Sequence, residues 1–173
     1  VNDIKFHFIG HLQSNKVKKA VEMFDIIQSI DSVKIAEKIN DACKEVVDEF
    51  GKSKKIDVMI QVNIGKEEQK YGIMPEDVVD FYNKIKHFEQ QNLNIIGLMC
   101  IAPDVPAEET RTYFQQMKEL FDKINKTIKE DNQKITELSM GMTNDYWVAL
   151  EEGSTMVRLG RILYTSFDYC CSG

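Results

Sequence analysis

Short apolar runs of strand length alternate with stretches of helical periodicity along the whole chain. The runs that predict strands cover residues 6–9, 25–30, 55–62, 94–101, 135–140 and 155–159. Runs that are apolar on both faces are typical of parallel strands covered by helices on one or both sides. The pattern therefore predicts six parallel strands, each followed by a helical segment.

The clearest helical stretch covers residues 32–50, where apolar side chains recur three or four positions apart and share one face. These side chains are Ala36, Ile39, Cys43, Val46 and Phe50. Asp31 or Ser32 is the expected N-cap, and Gly51 is the expected C-terminal stop.

Pro75 and Pro106 stand where first helical turns are expected to begin. After Pro106 the apolar stripe is repeated by Phe114, Met117, Phe121, Ile124 and Ile128.

Regular alternation of strands and helices implies right-handed parallel crossovers and an α/β fold. No linker or low-complexity tract interrupts the pattern, which predicts a single domain over residues 1–173. A closed (β/α)8 barrel has eight such units and typically about 250 residues. We therefore expect a TIM-type barrel with about six of the eight units. The chain starts at Val1 and soon reaches a strand, which places the expected loss at the N-terminus.

The net charge of −6 argues against a nucleic-acid or anionic-membrane surface, because both require clustered Lys and Arg. The four cysteines (43, 100, 170 and 171) have no metal-ligand spacing and are expected to be reduced thiols. No apolar run approaches the roughly 20 residues of a membrane span. These features predict a cytoplasmic protein, taken to be a monomer, with no metal site.

Two stretches near the C-terminus carry the candidate chemistry. Residues 138–145 (LSMGMTND) lead from a strand through a glycine into a helix start, where hydroxyls and free N–H groups suit an anion. In residues 156–161 (MVRLGR), Arg158 lies inside an apolar strand and requires a partner, since an unpaired buried charge is costly. Gly160 allows a ligand close to the backbone. Because barrels often bind phosphate after their last two strands, both stretches favour a phosphate-bearing ligand.

Purely structural interpretations of the same residues stay open. Ser139 and Thr143 could be helix caps, and Arg158 could close an ion pair with a nearby carboxylate. His7 and His11 are interpreted as scaffold residues rather than catalysts.

A second set of polar residues follows the third predicted strand. Gln61 and Asn63 share one face at its C-terminal end, where they could meet a ligand or serve as core hydrogen-bonding groups. The charged residues 66–70 are interpreted as a solvated loop.

Taken together, five blocks resemble the pyridoxal 5'-phosphate (PLP) homeostasis protein family. Residues 6–16 (FHFIGHLQSNK) are similar to its HFIGxLQxNK signature. The later blocks match in the right order and are residues 68–72, 97–99, 138–145 and 152–160. The resemblance covers nearly the whole chain, and the blocks together are highly specific.

The resemblance implies the barrel domain of alanine racemase, of the fold-type III PLP class, without that enzyme's second domain. It implies a PLP-binding protein of PLP supply and amino-acid homeostasis, with no established turnover and therefore no catalytic residue. Carried over by position, Ser139 and Gly160 hold the phosphate and Arg158 faces the pyridine nitrogen. Met140, Thr143 and Arg161 complete the expected cofactor site.

The chain departs from the family pattern at two points. The family's Schiff-base lysine, on its first strand, has no counterpart in this sequence. Arg161 stands where the family usually has Thr or Ser after Gly160. For these 173 residues we therefore expect at most weak, non-covalent PLP binding. The alternatives are a racemase-like PLP enzyme, a barrel enzyme that binds a sugar phosphate, and a fragment without function.

Overall fold

A computed structural model describes residues 4–129 and 134–165 of the chain, the last without its side chain. Within these residues the strands are β1 (His7–Phe8), β2 (Ile26–Ile30), β3 (Ile56–Val62), β4 (Leu93–Cys100), β5 (Glu137–Met142) and β6 (Met156–Arg158). The helices are α1 (Val17–Met23), α2 (Val33–Glu45), α3 (Val78–Ile85), α4 (Arg111–Thr127), α5 (Tyr146–Glu151) and α6 (Arg161–Thr165). Short 3-10 turns cover Ser14–Lys16, Pro75–Asp77, Lys86–Gln90 and Ala107–Thr110.

The six strands form one parallel sheet in the order β1-β2-β3-β4-β5-β6. The sheet is strongly curled, because the Gln28 side chain on β2 reaches Met156 Sδ on β6 at 3.2 Å although three strands lie between them. Within the described residues no ladder joins β1 to β6, so the barrel is open there. The predicted barrel with six parallel strand–helix units is thereby confirmed.

The main hydrophobic core lies between the sheet and the helices. On β3, Val58 and Ile60 belong to this core, whereas the alternating Met59 and Gln61 lie on the interior face of the curl. Both sets are buried, which explains why the strand is apolar at nearly every position.

The start of α2 follows the prediction. Ser32 has extended backbone angles, and its hydroxyl accepts a hydrogen bond from the Ile35 N–H at 3.3 Å. Ser32, rather than Asp31, is therefore the N-cap.

The predicted end of α2 is wrong. The helix stops at Glu45, because the chain turns extended at Val46 and Val47 pairs with Ser53 as an antiparallel bridge. Phe50 is 86% exposed instead of lying on the apolar face. Gly51, with φ +76°, lies in the turn of this bridge rather than at the helix end.

The other helical expectations are confirmed except at Ile128, which has extended backbone angles just after the end of α4 and, like Phe121, packs partly buried against the core. Pro75 begins a 3-10 turn that leads into α3, and Pro106 stands at the N-cap of the turn that leads into α4. Phe114, Met117 and Ile124 of the second stripe are fully buried. None of the helices in residues 4–129 and 134–165 has the length and apolar character needed to cross a membrane.

A buried amide clamps α2 to the start of β4. Asn40 is 2% exposed, and its Oδ1 accepts a hydrogen bond from the Asn92 N–H at 3.2 Å. Its Nδ2 donates to Gln91 Oε1 at 2.8 Å. A buried N–H group would be left without a partner if this side chain were shortened.

We therefore expect Asn40→Ala to lower the free energy of unfolding by about 1–3 kcal/mol. Urea denaturation followed by circular dichroism measures this change. Lys38→Ala, at an exposed position of the same helix, is the control and should change the stability by less than about 0.5 kcal/mol. Equal denaturation midpoints for Asn40→Ala and the control would contradict the clamp.

Candidate functional site

A cleft of about 360 Å³ lies at the carboxyl ends of β4, β5 and β6. It is lined by Lys70, residues 101–105 and 141–145, Arg158, Gly160 and Arg161. A larger cavity, of about 890 Å³, lies at the opposite ends of β3, β4 and β5, beside Lys55, Asn94 and Thr136. We favour the smaller cleft, because parallel α/β folds bind ligands at the carboxyl ends of their strands.

Arg158 reaches the cleft from β6 and is held by neutral acceptors. Its Nη1 donates to Ser139 Oγ at 2.6 Å, and its Nη2 donates to the Cys100 carbonyl oxygen at 2.7 Å. None of the ion pairs between described residues includes Arg158, so the alternative of a structural ion pair is not supported. Burial lowers the pKa of Arg158, but an arginine stays charged at neutral pH.

Ser139 continues this contact across the interior of the curl. It is fully buried, and its hydroxyl donates to Gln28 Oε1 at 2.7 Å. The Gln28 Nε2 atom lies 2.8 Å from His7 Nδ1. We call the chain of hydrogen bonds through His7, Gln28, Ser139 and Arg158 the interior relay. It joins β1, β2, β5 and β6 on the interior face of the sheet.

A tight turn connects β5 to α5 at the floor of the cleft. Gly141 has φ +95°, and a Cβ there would lie 2.6 Å from the Ala149 side chain, so this position requires glycine. Asp145 Oδ1 accepts a hydrogen bond from the Met142 N–H at 2.7 Å. Asp145 also occupies the N-cap position of α5, so neither Ser139 nor Thr143 caps this helix.

The structure brings four of the six predicted cofactor residues together. Thr143, Arg158, Gly160 and Arg161 line the cleft. Ser139 lies behind Arg158, inside the sheet. Met140 is fully buried in the core between the sheet and the helices, so its side chain points away from the cleft.

Lys70 also lines the cleft, although the sequence predicted a solvated loop over residues 66–70. It forms an ion pair with Glu67 at 2.5 Å. Asn63 holds this loop in place, because its Oδ1 accepts from the Glu67 N–H at 3.1 Å and its Nδ2 donates to the Glu67 carbonyl oxygen at 2.8 Å. The buried amide at the end of β3 was the signal for an ordered loop, and its interpretation as a hydrogen-bonding group fits this geometry.

The second histidine near β1 lies at the same end of the sheet. His11 stacks on Tyr71 with ring centroids 3.6 Å apart, and its Nδ1 lies 3.4 Å from Asp31 Oδ2. Burial raises the pKa of Asp31. His7 and His11 thus both have protein partners, as expected of scaffold residues. In the described part of the chain, no group of three or more His, Cys, Asp or Glu side chains is placed to hold a metal ion.

Cys100, whose carbonyl oxygen accepts from Arg158, has a fully buried thiol. Burial raises the pKa of Cys100 to about 12 and that of Cys43 to about 11. Because the thiolate is the reactive form, we expect neither residue to be alkylated by iodoacetamide at pH 8 in the folded protein. In urea both should be labelled, and peptide mass spectrometry distinguishes them from the other cysteines. Rapid native labelling of Cys100 would show that the region behind Arg158 opens.

Comparison with known proteins identifies relatives that share this arrangement of strands. Residues 3–167 match the family described as alanine racemase, N-terminal domain. A pyridoxal phosphate homeostasis protein of Aquifex aeolicus is 37% identical over 168 residues, which are 96% of this chain and 69% of the relative.

Solved structures agree with the sequence matches. The structure of PipY from Synechococcus elongatus without PLP has a TM-score of 0.81 at 34% identity, over 95% of this chain and 72% of PipY. The structure of PipY with PLP bound has a TM-score of 0.78 at the same identity and coverage.

Proposed function

Because the chain belongs to the pyridoxal phosphate homeostasis protein family, with the fold of the alanine racemase N-terminal domain, we propose that it binds PLP in the cleft described above. The observation that carries this proposal is the charge of Arg158, which is held at the cleft by two neutral acceptors, Ser139 and the Cys100 carbonyl oxygen. Lys70 and Arg161 add positive charge, while Asp104 and Asp145 also line the cleft. The volume suits a small ligand, whose sites span roughly 300–1,000 Å³.

Five residues in or behind the cleft have a proposed role. Arginine carries more N–H groups than Ser139 and Cys100 use, so Arg158 can still donate to the unprotonated pyridine nitrogen. The Gly160 backbone and the Thr143 hydroxyl face the phosphate, and Arg161 pairs with it. Ser139 keeps its hydroxyl engaged within the interior relay, so we now give it the role of supporting Arg158 rather than of touching the phosphate.

We propose that the protein binds PLP without catalysing a reaction. PLP, when bound, supplies an electron sink whose strength depends on protonation of the pyridine nitrogen. The Arg158 cation beside that nitrogen disfavours its protonation and so favours storage or transfer of PLP over chemistry.

The location and the oligomeric state of the protein are also part of the proposal. We propose a single domain that acts as a monomer in the cytoplasm, where its PLP is exchanged and nucleic acid is not a partner. The buried reduced thiols Cys43 and Cys100 and the net charge of −6 support this proposal.

Calorimetric titration of the 173-residue chain tests the ligand. We expect PLP to bind weakly and without a covalent bond, and pyridoxal, which lacks the phosphate, to bind at least about tenfold less tightly. Ribose 5-phosphate should compete poorly. Equal competition by ribose 5-phosphate would favour a sugar-phosphate site, and no PLP binding would favour a fragment without function. A borohydride-stable adduct on one lysine, or racemisation of alanine, would contradict the non-covalent and non-catalytic roles.

A glycine substitution tests the position of the phosphate. A Cβ added to Gly160 would meet no atom within 4 Å, so Gly160→Ala should leave the free energy of unfolding within about 0.5 kcal/mol. The added methyl group enters the cleft, and we expect PLP affinity to fall by about tenfold or more. Gly10→Ala is the matched control, because its Cβ makes only an ordinary 3.9 Å contact with Phe8 away from the cleft. An unchanged affinity for Gly160→Ala would place the phosphate elsewhere.

A further inference from the structure

The hydrogen bonds of the interior relay can be followed in one direction from Arg158 toward His7. An arginine donates and never accepts, so Ser139 Oγ is the acceptor in its 2.6 Å contact with Arg158. The single hydroxyl proton of Ser139 is therefore free to be donated onward. The neighbouring Gln28 side-chain oxygen, at 2.7 Å, receives it.

This direction fixes the orientation of the Gln28 amide. With its oxygen facing Ser139, the Gln28 NH2 group donates to Met156 Sδ at 3.2 Å and faces His7 Nδ1 at 2.8 Å. His7 Nδ1 must then accept. An imidazole that accepts at Nδ1 is neutral and carries its proton on Nε2.

The surroundings of His7 are mixed in charge. It is half-buried, and the charged groups that face it are Lys5, Asp25, Asp57 and Glu137. Asp25 already accepts a hydrogen bond from the Phe6 N–H, and Asp57 lies 3.8 Å from Lys5. Burial, followed by the Lys5 charge, lowers the pKa of His7 against the opposing pull of the carboxylates. The neutral form required by the relay is thus the form that its environment favours.

We propose that His7 is a positioning residue for Arg158, and that the relay makes ligand binding in the cleft depend on His7 remaining unprotonated. This inference rests on the proposed PLP site. A protonated His7 would present an N–H to the Gln28 NH2 group, so two donors would meet. Rotation of the amide would relieve that contact, but it would leave the buried Ser139 hydroxyl proton without its acceptor. The Ser139 hydroxyl would then no longer be held in the orientation in which it accepts from Arg158.

The sign of the effect follows from linkage. If PLP binds the state in which the relay is intact, it binds the neutral form of His7 more tightly. PLP binding therefore lowers the pKa of His7, and acidification through that pKa weakens PLP binding.

Nitrogen-15 NMR of the PLP-free protein tests the relay without any ligand. The chain has three histidines, and long-range proton–nitrogen spectra distinguish the two neutral tautomers of each. We expect His7 to carry its proton on Nε2 at pH 8. Ser139→Ala frees the Gln28 amide to rotate and should raise the pKa of His7 by about 0.5 unit or more. An Nδ1–H tautomer, or a His7 signal that does not respond to Ser139→Ala, would overturn the relay.

PLP titrations at pH 8 and pH 5 test the link to binding. His7→Asn keeps an acceptor at the place of Nδ1 but does not titrate, and His87→Asn, at a residue that is not part of the relay and lines the other cavity, is the control. We expect the affinity of the wild type and of His87→Asn to fall about fivefold more over this range than that of His7→Asn. The fall that remains in His7→Asn belongs to PLP itself and to other groups.

Equal pH dependence in the wild type and His7→Asn would overturn the positioning role of His7. Failure of all three proteins to bind PLP at either pH would instead overturn the proposed function and, with it, the linkage to binding. The NMR experiment would in that case still decide whether the relay exists.

Discussion

A guanidinium inside an apolar sheet must be given acceptors, and the rest of this structure depends on how Arg158 obtains them. Its two acceptors among the described residues come from β4 and β5, one as a backbone oxygen and one as a hydroxyl. Neither partner neutralises the charge. The guanidinium thus has hydrogen-bond partners, while its positive charge stays available to the cleft. An anionic ligand with an acceptor nitrogen requires this combination.

The two faces of the curled sheet have different roles. Side chains such as Val58 and Ile60 face the helices and supply the hydrophobic core. The alternating positions face the interior of the curl and hold polar side chains, among them Gln28 and Ser139, which are 1% and 0% exposed. The residues that stabilise the fold and those that form the site therefore alternate along the same strands. A substitution on one face makes little direct contact with the side chains on the other face.

Much of the fold could be predicted from the sequence, because strands covered on both sides leave apolar runs and helices leave a three-to-four periodicity. The error at the end of α2 has a physical cause. Val46 and Phe50 continue the helical spacing, yet Val46 is extended and the chain forms the Val47–Ser53 bridge instead.

At the site, the need of Arg158 for a partner was predictable, as were Gly160 and Thr143 in the cleft. The identity of the partners of Arg158 was not predictable, because the curl of the sheet brings them to it from other strands. Lys70 was missed for a similar reason, since its loop is ordered by Asn63 and not by its own pattern.

The separation in sequence of the relay's contacts bears on how the protein folds. Gln28 and Ser139 are 111 residues apart, and Gln28 and Met156 are 128 apart. Contacts that close such long loops carry a large entropy cost and form late, whereas neighbouring units of a parallel sheet assemble through shorter separations. The interior relay is therefore completed only when β2 meets β5 and β6, so a partly assembled sheet would have much of its core before Ser139 has the partner that supports it behind Arg158.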